Sequence, residues 1–311
     1  MPSQFKYLYM DGEIVPYEEA KLHIATPAVR YGATAFEGIK AHWNAEQRQL
    51  FLFRCREHME RLLQSARLMG MQPLEYTVDG LMQVVLDLLR ANDVRQDVHI
   101  RPSLFVAGEG SIQARGPVSL GVVVADAGAV LDTRGWRAKP FRLAISSWRR
   151  IEDNSVPPRI KSAANYQNAR LALLQGEEDG YDGVLMLDTR GHITEEARAC
   201  FFMVRGGEVI TPPITSDILE SISRDTAIEL LREQHGMLVQ QREVDRTEAY
   251  VADEVFLCGT ALGVTPVGRV DRFDVGDGGP GPITSALAAT YVETTTGSSG
   301  RHPEWRTAVY Q

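Results

Sequence analysis

The sequence predicts two α+β domains, and three observations lead there. The chain has 311 residues, which at roughly 150 residues per domain suggests two. Strand-like and helix-like stretches intermix without the regular strand–helix–strand rhythm of a doubly wound sheet. Between Asp126 and Ala138 (DAGAVLDTRGWRA) periodicity is lost and glycine and charge gather. An N-terminal domain over 1–125, a linker over 126–137 and a C-terminal domain over 138–311 follow.

The elements can be justified in order. YLYMDGEIVPYEEAKL alternates around an Asp-Gly pair, the strongest short-range hairpin signal. Leu50 to Phe53 is a short strand. The period then changes to that of an amphipathic helix from Arg56 to Met69, and a second helix covers Val78 to Asn92. VHIRPSLFVAG and SLGVVVADA are strands, the second apolar enough to be buried. Beyond the linker, FRLAISSW is a strand, and two prolines forbid regular helix in RRIEDNSVPPRIKS. Ala163 to Gln175 is a helix, GVLMLD and FFMVRGGEVIT are strand pairs, and SRDTAIELLREQHG is a helix ending at Gly236. DEVFLCGT is a strand running into a turn. FDVGDGGPGP is a surface loop before the terminal helix PITSALAATYVETTT.

Composition excludes several classes. Charged residues make up 24% of the chain and hydrophobic residues 44%, as in an ordinary globular protein. The net charge of -8 argues against a nucleic-acid or anionic-membrane partner. Three cysteines, Cys55, Cys200 and Cys258, stand too far apart for a disulfide framework or a zinc motif. The seven histidines include no pair at metal-ligand spacing, so no metal is expected. The N-terminus has no apolar signal region and no window would span a bilayer. The expected setting is the cytoplasm.

Of the 33 basic residues only five are lysines: Lys6, Lys21, Lys40, Lys139 and Lys161. Chemistry that needs an amine therefore has few candidates. Lys161 lies in PPRIKSAANYQNAR, between a proline-stiffened entry and a helix, a position suited to an amine held still and partly desolvated. Tyr166 follows in the first turns of that helix. Glu195 and Glu196 follow the turn in DTRGHITEE, where a buried carboxylate would stay ionised beside a cationic partner. SISRDT opens a helix that Ser223 would cap, leaving free N–H groups for an anion. CGTAL offers the Thr260 hydroxyl, and Arg61 offers a guanidinium on a helix. Each has a plainer reading: a surface lysine, a packing tyrosine, a solvated acidic loop, an ordinary cap, turn or helix arginine. Together they make the inventory that pyridoxal phosphate requires.

At this point the chain resembles the class IV aminotransferases of pyridoxal-phosphate fold type IV, and most closely the branched-chain amino acid aminotransferases. The resemblance runs through RYGATAFEGIKAH (30–42), FRCREHMERL (53–62), HIRPSLFV (99–106), PPRIKSAANYQNARLAL (157–173), DTRGHITEEA (188–197), TPPITSDILESISRDTA (211–227) and ADEVFLCGTALGVTPV (252–267). It implies a small N-terminal α/β domain and a larger C-terminal one, with the cofactor between them. Lys161 would form the Schiff base and move the substrate proton. Glu195 would pair with the pyridinium nitrogen, and Tyr166 would bond the ring phenolate. Arg61, Ile222, Ser223 and Thr260 would hold the phosphate. Tyr31, Phe36, Gly38, His99, Arg101 and Ala261 would shape the substrate site, with Tyr31 reaching across a homodimer or a higher oligomer. The implied reaction moves an amino group from a small-molecule donor, a branched-chain L-amino acid, to 2-oxoglutarate.

Several positions depart from the family pattern. His99 stands where branched-chain enzymes have a tyrosine. Glu196 and Ser221 replace glycines, and Cys200 replaces an asparagine. Ala127 and Val130 stand where aromatic residues line the pocket, which widens it. These departures keep a D-amino acid or (R)-amine transaminase, an aminodeoxychorismate-type lyase and a non-catalytic homologue in view.

Overall fold

The computed structural model describes residues 5–130 and 140–310. Residues 131–139, which include most of the expected linker, lie outside it, as do the side chains of 129 and 130. The chain divides into two compact units. The first holds Met1–Asp132, Ile160–Ala164 and Thr294–Gln311; the second holds Thr133–Arg159 and Asn165–Glu293. Neither is a single run of chain, because the segment around Lys161 and the C-terminus belong to the first unit.

The first unit is built on an antiparallel sheet. Its strands are β1 (Tyr7–Met10), β2 (Glu13–Pro16), β3 (Thr34–Phe36), β4 (Ile39–Asn44), β5 (Gln49–Phe53), β6 (Val98–Val106) and β7 (Val118–Asp126), with a last strand at Arg306–Ala308. From that last strand the order runs β5, β4, β6, β7, β1, β2, and β3 pairs with β6. The β1–β2 hairpin turns on Asp11 and Gly12, both at positive φ, as an Asp-Gly pair allows. Helix α1 (Pro27–Tyr31) starts from a Thr26 cap and ends at Gly32 in the left-handed region. Helices α2 (Cys55–Leu68) and α3 (Val78–Ala91) bury Met59, Leu62, Val85 and Leu88 in one core with Ile39, Leu52, Ile100 and Val124 from the sheet. A single turn, α4 (Ala127–Val130), follows β7.

The second unit contains a mixed sheet of β8 (Phe141–Ile145), β9 (Gly183–Leu187), β10 (Ile193–Glu196), β11 (Ala199–Arg205), β12 (Glu208–Thr211), β13 (Val239–Gln241), β14 (Glu254–Gly259), β15 (Gly263–Val270) and β16 (Phe273–Asp274). Its order is β10, β9, β8, β15, β14, β11, β12, β13, and β10 also pairs with β11. That extra pairing joins β8, β9, β10, β11, β14 and β15 into a closed ring, which removes the exposed edges a strand otherwise presents. Helices α5 (Ala163–Glu178), α6 (Ile222–His235) and α7 (Pro282–Thr296) complete the chain. Phe202 and Phe256 stack inside at 4.9 Å between ring centroids.

The α+β class is as expected, and the expected long helices are all present to within a few residues. The acidic pair Glu195–Glu196 lies on a buried strand, β10, not in a loop. No described helix is long and apolar enough to cross a membrane.

Candidate active site

In the first unit the chemistry gathers along one stripe of α2. Residues three and four apart on a helix share a face, so His58, Arg61 and Ser65 line up. Opposite them, in the two-residue link between β3 and β4, Glu37 is completely buried. Arg61 grips it with two donors, Nε to Oε1 at 2.6 Å and Nη2 to Oε2 at 2.8 Å. The His58 ring nitrogen Nδ1 lies 2.7 Å from Oε2, and the Gly38 N–H donates to the same oxygen at 3.3 Å. Burial alone would raise the Glu37 carboxyl, but the Arg61 charge and then His58 override it and hold it well below the usual carboxylate range. Burial lowers the His58 imidazole more than Glu37 raises it. An ionised carboxylate can only accept, so His58 Nδ1 is the donor in this contact.

Ser65, further along the stripe, accepts the Lys161 N–H at 3.1 Å. The Lys161 carbonyl accepts the Phe36 N–H at 3.0 Å, and Ser162 forms a bridge with Ala35. Lys161 thus has its backbone fixed on both sides. Its Nζ lies over the Phe36 ring at 5.2 Å from the centroid, and the Arg101 guanidinium lies over the same ring at 4.7 Å. His99 and Arg101 are two apart on β6 and so share a face. His99 is buried so close to Gly38 that a Cβ there would come within 2.8 Å of Nε2. Burial first, then the charges of Arg101, Lys161, His58 and Lys40, push the His99 pKa down to about 3. Tyr31, at the end of α1, is 39% exposed. Five of the expected residues, Phe36, Gly38, His99, Arg101 and Lys161, therefore form one cluster, with Arg61 on the neighbouring helix face.

In the second unit Glu195 lies on β10 opposite Cys200 of β11. Arg150 Nη2 sits 2.8 Å from Glu195 Oε1, and the Leu219 N–H donates to Oε2 at 3.4 Å. Successive strand residues point to opposite faces, so Glu196 has separate partners. Its carboxylate accepts the Arg198 N–H at 2.7 Å and Nη2 at 3.0 Å, and it occupies space that a Cβ on Gly183 would take. The replacement of a glycine by Glu196 is thus a buried ion pair in which Arg198 answers the charge. Cys200 is buried opposite Cys258 of β14.

The cap of α6 differs from expectation. Ser221, not Ser223, has extended backbone and accepts the Arg224 N–H at 3.3 Å. The helix begins at Ile222, so Ser223 is already inside it. The misplacement has a simple cause: both serines precede a helix-forming run, and only backbone geometry tells cap from first turn. Ser223 Oγ lies 3.4 Å from Thr260 Oγ1, and the Cys258 thiol donates to the Ser223 carbonyl at 3.1 Å. Thr260, Ala261 and Leu262 form the turn between β14 and β15. Ser223 and Thr260 therefore meet in the first turn of α6, which Ile222 opens, and a helix start favours anions. Tyr166 sits half-buried in α5. Of the two small residues expected to widen the pocket, Ala127 opens α4, and the side chain of Val130 lies outside the described residues.

Sequence reasoning missed Glu37, His58, Ser65 and Arg150. The 58–61–65 spacing is a usable signal for the α2 stripe. Arg150 lies in an irregular stretch with no periodicity to place it.

This chain belongs to the class IV aminotransferases: the family model for amino-transferase class IV matches residues 34–270. It is an aminotransferase with the pyridoxal-phosphate fold type IV architecture. A probable branched-chain-amino-acid aminotransferase of Aquifex aeolicus is 38% identical over 307 residues, covering 98% of this chain and 97% of that protein. The branched-chain amino acid aminotransferase of Thermobaculum terrenum, solved in its PLP form, superposes with a TM-score of 0.92 at 40% identity over 100% of both chains. The branched-chain aminotransferase of Thermoproteus uzoniensis, solved with norvaline, gives a TM-score of 0.92 at 34% identity, covering 98% of this chain and 100% of that one.

Proposed function

We propose that this enzyme transfers an amino group between a branched-chain L-amino acid and 2-oxoglutarate, using pyridoxal 5'-phosphate held through Lys161. The observation that carries the reading is Lys161 itself, a lysine whose backbone is fixed by Ser65 and Phe36 and whose amine lies over the Phe36 ring. The family and the names of the relatives support transamination and a branched-chain amino acid substrate.

The residues present fit the cofactor. A pyridine nitrogen calls for a buried anion, and Glu195 is a buried carboxylate kept in place by Arg150. A phosphate calls for converging donors, which the Ser223 and Thr260 hydroxyls at the start of α6 supply. Ile222 would add to that set; the family resemblance assigns Arg61 to the phosphate as well, and Tyr166 to the ring oxygen. Bound there, the cofactor supplies an electron-withdrawing ring that takes up the electron pair left when the substrate's Cα–H bond breaks.

This chain's residues then have distinct tasks. Lys161 Nζ takes the proton from the substrate Cα, work for which a positioned general base gives about 10²–10⁴-fold. Glu195 keeps the ring nitrogen protonated by charge. His99, neutral at working pH, offers an N–H to the substrate carboxylate, and Arg101 offers a charge. Phe36 and Gly38 bound the side-chain space, and the family resemblance assigns Ala261 to the substrate too. The proposal includes a homodimer in which Tyr31 serves the partner's site, supported by its exposure on this chain. It also includes a cytoplasmic setting, in keeping with three cysteines that are all buried.

A panel of donors with 2-oxoglutarate tests this reading. L-leucine, L-isoleucine and L-valine should each yield L-glutamate with kcat/KM at least about a hundredfold above that of their D-enantiomers, the scale that misfit of an apolar side chain alone imposes. Faster turnover of D-amino acids or (R)-amines would overturn the substrate assignment. Pyruvate released from aminodeoxychorismate without an acceptor would replace transamination by lysis.

A further inference from the structure

We propose that Glu37 is a positioning residue that sets Arg61 as the phosphate-binding arm, with His58 holding Glu37 in turn. The inference rests on the reading above that Arg61 meets the cofactor phosphate. Glu37 is wholly buried, and the His58 and Arg61 side chains are nearly so. A buried ion pair adds little net stability over apolar packing of the same volume, so stability alone does not explain so complete a set of bonds. The geometry does more than neutralise charge. Two parallel N–H···O bonds fix the plane of a planar guanidinium, which a single contact would leave free to rotate. His58, with its Nδ1 at 2.7 Å from Oε2, fixes the carboxylate that does the gripping. All three groups hang on the same short run of α2 and the β3–β4 link. The next turn of that helix stripe, Ser65, holds the Lys161 backbone. One helix face thereby sets both the arginine and the lysine.

Positioning and neutralisation predict opposite signs. If Glu37 merely offset the Arg61 charge, removing its charge would tighten phosphate binding. If it positions Arg61, the same change should loosen it. The full-length chain, freed of cofactor, is titrated with pyridoxal 5'-phosphate and with pyridoxal, and bound aldehyde is read by borohydride trapping and mass. The ratio of the two affinities isolates the phosphate contribution. Arg61→Ala should remove most of the preference for the phosphate form. Glu37→Gln should lower that preference about ten- to a hundredfold, the worth of a charge-assisted bond, with pyridoxal affinity unchanged. His58→Leu, which keeps the Arg61–Glu37 pair, should lower it by about three- to tenfold. If Arg61→Ala keeps the preference, the phosphate role of Arg61 and this inference both fall. If Arg61→Ala loses it while Glu37→Gln and His58→Leu retain or tighten it, or weaken both ligands equally, the inference alone falls. Should Glu37→Gln not fold, as its thermal transition would show, His58→Leu decides.

Discussion

His99 shows how much a single residue's surroundings matter. On the sequence it is one histidine on a strand. In the fold it is enclosed among Arg101, Lys161, His58 and Lys40, and its pKa falls from 6.5 to about 3. The unfolded chain takes up a proton as the pH drops below 6.5, and the folded chain does not. The stability that neutral His99 confers is therefore present above 6.5 and is lost as the pH falls from 6.5 toward 3. His99→Gln should flatten the acid side of the stability curve between about 6.5 and 4.5, by up to about 1.4 kcal/mol per pH unit. His42 and His58, also lowered by burial, should keep some slope in the variant. Denaturant titrations of both proteins across this range give the comparison, and parallel curves would show that His99 does not titrate with folding.

At the scale of elements, helix starts carry much of the second unit's design. Ser221 caps α6. The start of α7 is capped from a distance, because Glu254 of β14 accepts the Ile283 N–H at 3.0 Å, the Thr284 N–H at 2.7 Å and the Thr284 hydroxyl at 2.6 Å. Gly281 leaves the room for that carboxylate: a Cβ there would overlap the Glu254 side chain. Gly281→Ala should destabilise the protein by about 1–3 kcal/mol, as overpacking of a closed site does, and a thermal or denaturant midpoint will read it. An unchanged midpoint would mean that Glu254 swings aside without cost. The glycine-rich loop thus has a packing reason that the sequence alone does not disclose. Period and caps made the long helices legible, and the Asp-Gly pair made the hairpin legible. The strands β3 and β4 were not: β3 has only three residues, and β4 does not alternate strictly between buried and part-exposed positions. Nor was the strand at Arg306–Ala308, whose partner β5 lies far back in the chain at Gln49–Phe53; pairing at that separation leaves no local trace.

For the molecule as a whole, the candidate chemistry was legible as residue types and the division of the chain was less so. The segment Ile160–Ala164 and the C-terminal residues join the first unit, where no composition shift marks them. The reason is physical: Lys161 is placed by bonds from its own backbone to Phe36 and Ser65, and a backbone donor or acceptor carries no mark in the sequence. The buried Glu37–His58–Arg61 group escaped for a related reason, since a carboxylate between Phe36 and Gly38 looks like any turn residue until its burial is known. Function at this scale depends on one amine among five. Among the described residues Lys40 is a competitor, paired across β4–β6 with His99. The decisive measurement is therefore to load the full-length protein with pyridoxal 5'-phosphate, reduce it with borohydride and map the modified peptide. The account predicts label on Lys161 alone. Lys161→Ala should lose that label and at least about a thousandfold in transamination rate, within the range a general base provides. Label on Lys40 or any other lysine, or a Lys161→Ala variant that retains both label and rate, would contradict it.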